Sequence, residues 1–221
     1  MISSATRREK GARPLRADAQ LNRDRILSAA AKVFAERGVG VPLEEIARRA
    51  GVGVATLYRR FPTRADLAEA AFERSMSQYT EAVDRALANP RAGDGFRTLI
   101  FEVCELQARD AGLRELLTTA FPATSTVEQR TGEAVEKLKV LITRAQAENA
   151  VRPDLVVADV VVMLLANSGV VAATAAAAPN AWRRFAALMV DAFRADVDGP
   201  LPPPPDEQQL RRSVALLTGS G

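Results

Sequence analysis

The chain has 221 residues, of which 48% are apolar and 26% are charged, and its formal net charge is +3. This composition is ordinary for a globular protein with an apolar core, and the scarcity of aromatic residues favours packed helices over sheets. The chain has no histidine and one cysteine, Cys104, which excludes histidine-dependent catalysis, histidine-ligated metals and sites built on paired cysteines. We therefore expect no cofactor and no metal.

Charge is divided unevenly along the sequence. Residues 1–64 contain 14 lysines and arginines against 6 aspartates and glutamates, a net charge of +8, whereas the rest of the chain carries −5. A basic N-terminal part on an acidic body indicates a polyanionic partner. A solvated basic face explains the charge alone equally well.

The first residues of the chain, 1–19, are polar and basic without apolar periodicity, which predicts a flexible basic arm. After them, Ile26, Ala30 and Val33 fall on one face of a first helix, which is expected to end at Gly38. No apolar run follows the basic start, so we expect no signal peptide and a cytoplasmic protein.

Two short helices are predicted next. The segment LEEIARRA (43–50) has the pattern of a second helix, and Gly51 is expected to end it. A third helix, VATLYRRF (54–61), ends before Pro62. Two short helices joined by a glycine-containing turn are typical of a helix-turn-helix, which predicts a three-helix DNA-binding domain over residues 20–64.

The remainder of the chain is predicted to be helical, so the expected fold is all-α. A larger C-terminal helical domain covers residues 65–196 and a proline-rich tail covers 197–221. Thr63 and Asp66 have the spacing of a capping box for the fourth helix, and Asn180 is expected to cap the last helix. The predicted helices after the third cover residues 65–88, 94–110, 113–121, 126–149, 153–178 and 180–195.

The apolar run 155–178 is long enough to cross a membrane. Asp159 and Asn167 interrupt it, and much of its apolar content is small alanine. We therefore expect a helix that is buried on most sides within the protein, and no membrane partner.

The third helix is expected to have an inward and an outward side. Leu57 and Phe61 lie four residues apart and anchor it inside the module. Val54 and Ala55 begin the helix, where small side chains suit the DNA major groove, and the arginines further along can bind phosphates. A basic helix in an ordinary bundle is the alternative, but the turn, the short helices and the segregated charge together favour DNA binding.

These residues resemble the N-terminal domain of TetR-type transcriptional repressors. The resemblance spans roughly residues 22–72, about a quarter of the chain. It implies a homodimeric DNA-binding repressor with a helical ligand-binding and dimerisation domain, which binds a pseudo-palindromic operator and is released by a small molecule. The matching segments are ILSAA (26–30), FAERG (34–38), IARRAGV (46–52), TLY (56–58) and Phe61.

The same resemblance assigns roles to residues of this sequence. Thr56 and Tyr58 match positions that contact DNA backbone or bases, and Val54 and Ala55 match positions that face bases. The predicted DNA-binding set is Arg48, Val54, Ala55, Thr56, Tyr58, Arg59, Arg60 and Arg64, where Arg60 occupies a place often held by His or Tyr and Arg64 a place where Lys usually meets phosphate.

Two positions depart from the family pattern. Pro42 replaces a Thr that commonly caps the second helix and touches phosphate, and Gly53 replaces a common Ser at the start of the third helix. The arm is a candidate source of compensating phosphate or minor-groove contacts, although a merely disordered tail explains its composition as well. Its arginines are Arg7, Arg8, Arg13 and Arg16.

The C-terminal domain is expected to supply a dimer interface and an effector pocket. The helices near 155–178 and 180–195 are the interface candidates, because Ala166, Gly169, Ala172 and Ala173 allow close helix approach; core packing within one subunit is the alternative. The pocket is expected to take an uncharged or weakly polar molecule. Its candidate lining residues are Phe96, Ile100, Phe101, Cys104, Phe121, Leu138, Ile142, Met163, Asn167 and Trp182.

Two other classes of function compete with a regulator. An enzyme lacks support, because the sequence has no phosphate loop and no motif of paired carboxylates. A helical scaffold protein that does not bind DNA is the other alternative, and the salt dependence of DNA binding separates it from a regulator.

Overall fold

The chain folds into helices. The computed structural model describes residues 9–37, 39–110, 114, 126–197, 199–206, 209, 210 and 213. This described part has one isolated antiparallel bridge, Val151 with Arg194, and no sheet. The all-α class predicted from the sequence is thereby confirmed. The helices are α1 (Glu9–Arg37), α2 (Leu43–Ala50), α3 (Val54–Arg60), α4 (Arg64–Ala88), α5 (Ala92–Arg109), α6 (Thr126–Ala147), α7 (Val157–Thr174) and α8 (Ala181–Ala192).

The chain divides into two compact units, residues 1–71 and residues 72–221. The sequence places its domain boundary after residue 64, whereas the boundary between the compact units falls inside α4. The predicted helix 113–121 lies outside the described residues, except for Arg114. Within the predicted tail, residues 200–206 have no regular structure and are exposed.

The first unit is built on a small apolar core. Phe34 of α1, Ile46 of α2 and Leu57 of α3 are completely buried, so the three helices converge as their apolar positions predict. The turn between α2 and α3 begins at Gly51, whose φ of 65° is left-handed. Its N–H bonds the carbonyl of Arg48 at 3.2 Å, which closes the end of α2.

The first helix differs from its prediction. The backbone of α1 is helical from Glu9, whereas the sequence predicts an arm without regular structure as far as residue 19. A helix that is already nucleated by the packed segment around Ile26 and Phe34 extends at little cost, because each added residue gains one hydrogen bond. Apolar periodicity does not detect such an extension, because it reports only residues that share an apolar face.

Helix capping follows the prediction at one helix and not at another. At the start of α4, the Thr63 N–H donates to Asp66 Oδ2 at 3.0 Å and the Asp66 N–H donates to Thr63 Oγ1 at 3.1 Å, so the capping box is confirmed. At the start of α8, Asn180 makes no side-chain capping bond. Its backbone, at φ −101° and ψ 5°, is not in the extended conformation that directs a capping side chain toward free N–H groups.

The second unit is organised around α5, which packs against α6, α7 and α8. Two glycines let the start of α5 lie close to its neighbours. A Cβ atom at Gly95 would stand 2.4 Å from the Ala86 carbonyl oxygen, and one at Gly93 would stand 2.3 Å from the Ala150 Cβ. The carboxylate of Glu148 accepts the free N–H groups of Ala92 at 2.8 Å and Gly93 at 2.9 Å. Glu148 thus supplies the cap that α5 lacks in its own sequence.

The apolar helix α7 is shorter and more exposed than predicted. It begins at Val157 rather than at residue 153, and the Val156 N–H donates to Asp159 Oδ2 at 2.9 Å. By length and composition alone it passes as a membrane span, with a mean hydropathy of 1.8. Only 28% of that window is buried, so the expectation of a helix buried on most sides is wrong for the single chain. The reason is a continuous face that nothing in the described part of the chain covers.

Candidate nucleic-acid interface

Burial separates the two sides of α3. Leu57 is completely buried and Phe61 nearly so, which fixes the helix against α1 and α2. The turn of α3 therefore directs Val54 and Tyr58 outward, and these side chains are 38% and 42% exposed. Of the predicted DNA-binding residues, only Thr56 is half-buried; the exposed ones are Arg48, Val54, Ala55, Tyr58, Arg59, Arg60 and Arg64.

The N-termini of α2 and α3 have no side-chain cap. Pro42 precedes α2 and Gly53 precedes α3, and neither provides a side-chain hydrogen bond. The Gly53 carbonyl accepts from the N–H groups of Thr56 and Leu57 at 2.9 and 3.2 Å, which starts the ladder of α3. The TetR-type pattern has Thr and Ser at these two positions. Neither Pro42 nor Gly53 supplies a hydroxyl in their place.

Arg48 is engaged in an ion pair that the sequence analysis did not anticipate. Its Nη2 lies 2.8 Å from Glu45 Oε1 and 2.9 Å from Oε2, while its Nε donates to Oε2 at 3.2 Å. Arg49 bonds the same carboxylate at 3.2 Å and Glu36 at 2.6 Å. These arginines, the hydrogen bond from Arg48 first among them, hold the pKa of Glu45 below its usual value. The spacing of Glu45 and Arg48 on one helix was the available signal.

Two other arginines are positioned by backbone carbonyls. Arg60 Nη2 donates to the Ala19 carbonyl of α1 at 3.2 Å, and Arg64 Nη1 donates to the Val39 carbonyl at 3.1 Å. Both guanidinium groups keep further donors, since each carries five. Arg59 makes no hydrogen bond or ion pair with the residues that the structure describes. The surface thus offers small apolar, hydroxyl and cationic groups on one short helix and its flanks, which are the groups that base edges and phosphates accept.

Most of the predicted effector-site residues are buried in the second unit. Phe96, Ile100 and Cys104 share one buried side of α5, and Cys104 Sγ lies 3.9 Å from Met163 Sδ of α7. Burial raises the pKa of the Cys104 thiol to about 12, as expected for a small buried apolar residue. Phe101 is half-buried, Phe121 lies outside the described residues, and the other buried members are Leu138, Ile142, Asn167 and Trp182.

One buried residue of this region was missed. Gln107 of α5 is completely buried and lies against Asn167, whose Nδ2 donates to Gln107 Oε1 at 2.7 Å. Gln107 Nε2 donates in turn to the Leu164 carbonyl at 3.2 Å. The signal was present in the sequence, because Gln107 continues the buried side formed by Ile100 and Cys104.

The turn, the short α2 and α3 and the outward basic surface define a helix-turn-helix protein. The family model described as bacterial regulatory proteins, tetR family, matches residues 26–71. An HTH-type transcriptional regulator of Staphylococcus aureus strain USA300 is 40% identical over 63 residues, which is 28% of this chain and 34% of that protein. The match therefore spans about a third of the length of such curated relatives.

Solved structures extend the comparison along the chain. The TetR transcription regulatory protein from Mycobacterium vanbaalenii is 31% identical, covering 82% of this chain and 99% of that chain, with a TM-score of 0.44. A gamma-butyrolactone receptor described as ArpA-like shares the fold at a TM-score of 0.59, with 22% identity over 91% of this chain and 96% of its own. NalD of Pseudomonas aeruginosa scores 0.58, with 20% identity over 82% of this chain and 100% of its own. The match over residues 26–71 identifies this part of the chain as a TetR-type DNA-binding region, and the neighbours with TM-scores above 0.5 show that the rest of the chain shares their fold.

Proposed function

We propose that this protein is a homodimeric, cytoplasmic transcriptional repressor that binds a pseudo-palindromic operator and is released by a small, mostly apolar ligand. The observation that carries the proposal is the outward surface of α3, where Val54, Ala55 and Tyr58 are exposed above the buried anchors Leu57 and Phe61. A short helix held in this way can enter the major groove by its N-terminal end.

Base and phosphate contacts fall to different residues. Val54 and Ala55 stand at the start of α3, where they can reach base edges and thymine methyl groups. Tyr58, Arg59, Arg60 and Arg64 offer donors to phosphates, which fix register without reading sequence. Pro42 and Gly53 provide no side-chain hydroxyl at the starts of α2 and α3. More of the phosphate binding therefore falls to Tyr58 and the three arginines.

A second copy of the chain is the partner proposed for the exposed face of α7. Val162, Ala166, Gly169 and Ala173 recur at helical spacing and are exposed, with Val162 at 46%. Apart from the adjoining backbone of α7, a Cβ atom at Gly169 would meet no atom of the described residues within 4 Å, so packing among them does not require glycine there. Leu188 of α8, 53% exposed, adds apolar area. A two-fold dimer gives the paired recognition helices that a pseudo-palindromic site requires.

Release by a ligand is proposed from the buried region of α5 and α7. One protein of similar fold supports it, because it is described as a gamma-butyrolactone receptor. The ligand would favour one of two states that space the recognition helices differently, and it shifts that equilibrium only by its differential affinity for the two states. Operator binding requires a spacing of about 34 Å, one turn of B-DNA.

Selection of bound duplexes from a random pool by the full-length protein tests the proposed function. We expect an inverted repeat to be enriched, with each half-site read by one subunit. Variants at Val54 or Ala55 should select a different half-site, whereas Arg97→Ala, a change of an exposed arginine on α5, should select the original one. Enrichment of no sequence, or of a site without two-fold symmetry, would contradict the proposal.

A further inference from the structure

Two buried amide side chains connect α5 and α7. Gln107 and Asn167 are both completely buried, and Asn167 Nδ2 donates to Gln107 Oε1 at 2.7 Å. The contact between Cys104 and Met163 lies about one helical turn away on the same two helices. A polar pair therefore sits within the apolar contact of these helices, where burial of amides is costly unless each atom is bonded.

The orientation of this pair is dictated by a backbone carbonyl. The Leu164 carbonyl accepts from Gln107 at 3.2 Å, so Gln107 must present its NH₂ group there. Its Oε1 then faces Asn167, which must present its own NH₂ group. Asn167 Oδ1 is therefore the oxygen that neither partner satisfies. Exchanging the O and N positions of either amide would place two acceptors or two donors opposite each other.

Asn167 Oδ1 lacks a partner. Among the buried side-chain nitrogen and oxygen atoms that the structure describes, it is the one that accepts no hydrogen bond. Such an acceptor opposes folding, whereas a pair of leucines of similar volume in place of the two amides would carry no such cost. A ligand that donates a hydrogen bond to this oxygen would remove the cost of burying it unbonded. Asn167 Oδ1 is therefore a candidate polar contact for a ligand within an otherwise apolar region.

We propose that Asn167 Oδ1 accepts a hydrogen bond from the effector, and that the effector is a mostly apolar molecule with a neutral hydroxyl or N–H donor. This inference rests on the proposed function for the existence of an effector and adds its chemical class. A neutral donor fits better than an ammonium group, because an unpaired charge is far more costly to bury than a hydroxyl. Gln107 acts as a positioning residue, since it holds the Asn167 amide in the orientation that leaves Oδ1 without a donor.

The test uses matched probes that differ by one donor, with the full-length protein in the absence of DNA. The pairs are phenol with anisole, 2-naphthol with 2-methoxynaphthalene, and 1-nonanol with methyl octyl ether, and binding is measured by calorimetry and by the rise in Tm. We expect at least one hydroxyl compound to bind at least about tenfold more tightly than its ether, because a site built around a hydrogen bond rejects the analogue that lacks it. Equal binding within every pair, or binding of none of the hydroxyl compounds, would overturn the proposal.

Two variants separate the acceptor from the surrounding apolar contact. Gln107→Leu combined with Asn167→Leu removes the polar pair in one step and should abolish the preference for the hydroxyl compound without lowering the Tm of the unliganded protein. Leu99→Met changes a buried side chain of α5 outside the predicted effector site at similar volume and should keep the preference. If the double variant does not fold, Asn167→Ser takes its place, because the shorter side chain withdraws the acceptor. A preference that survives loss of the acceptor would also overturn the proposal.

DNA binding distinguishes this inference from the proposed function. The double variant should bind the selected operator as wild type does when no probe is present. If the protein binds the operator but shows no preference between the probes, the proposed effector class is wrong and the proposed repressor function still stands. If the protein shows a clear probe preference but binds no DNA, the proposed repressor function is wrong and the acceptor role of Asn167 still stands.

Discussion

At the scale of single residues, the surface of α3 follows from two buried anchors. Leu57 and Phe61 are apolar and four residues apart, so their burial was predictable from the sequence and determines which neighbours point outward. The engagement of Arg48 by Glu45 was not foreseen, because the rotamers of long charged side chains depend on every nearby charge. DNA binding and the ion pair with Glu45 therefore compete for Arg48.

Tyr58→Phe removes one hydroxyl from the proposed phosphate-binding surface. We expect affinity for every duplex to fall by about threefold to tenfold, the effect of one lost hydrogen bond, without a change in the selected sequence. Fluorescence anisotropy with the selected operator and a scrambled duplex measures this, and Arg97→Ala serves as the unaffected control. A loss confined to the selected operator would show that Tyr58 reads bases instead.

Glu45→Gln releases Arg48 and Arg49 from their shared carboxylate. We expect DNA affinity to rise by roughly twofold to tenfold and its salt dependence to steepen, since Arg48 becomes available to phosphate while Arg49 stays paired with Glu36. The Tm should change little, because exposed ion pairs contribute about 0–1 kcal/mol. Anisotropy titrations at several salt concentrations check this, and weaker DNA binding in the variant would contradict it.

At the scale of elements, helix ends were predictable where the deciding residues are local. Gly51 ends α2, and Thr63 with Asp66 begins α4, in agreement with the sequence. The start of α5 depends instead on Glu148, which follows α6 and is 55 residues away from Gly93 in the chain. No local pattern reveals such a cap, because the groups that it joins meet only after folding.

The cap at α5 predicts a pH dependence of stability. Hydrogen bonds from the Gly93 and Ala92 N–H groups, the Gly93 bond first, lower the pKa of Glu148 from the ordinary value of 4.5. Since the folded pKa is the lower one, the stabilisation is fully present above pH 4.5 and is lost as the pH falls through the folded pKa. Thermal melts should show wild type more stable than Glu148→Gln above that pH, with the two converging in acid. A constant difference at all pH values would contradict the assignment.

At the scale of the whole molecule, the all-α fold was predictable from helical periodicity, but contacts between distant helices were not. Asn167 was a candidate effector residue from the sequence, whereas its partner Gln107 lies 60 residues away and was overlooked. The exposure of α7 was also misjudged, because an apolar helix that meets a second subunit has the same composition as one buried in its own core.

Gly169→Arg tests the proposed dimer. Because no described atom outside the adjoining backbone of α7 lies within 4 Å of a Cβ at this position, the variant should keep the packing within the subunit and should fold. It should nevertheless prevent close approach of a second α7 and elute as a monomer in size exclusion with light scattering. The matched change Gly132→Arg, at another open glycine on α6, should leave the oligomeric state as in wild type. A dimeric Gly169→Arg protein would exclude this face as the interface.

DNA binding through phosphate contacts is tested by the affinity of the full-length protein for its selected operator and for a scrambled duplex, measured as the salt concentration is varied. Phosphate contacts from two subunits, each with Arg59, Arg60 and Arg64, should give a slope of log K against log salt of about −4 to −8. The operator should bind at least about a thousandfold more tightly than the scrambled duplex at physiological salt. No binding to either duplex at low salt, or an affinity that does not change with salt, would contradict the account.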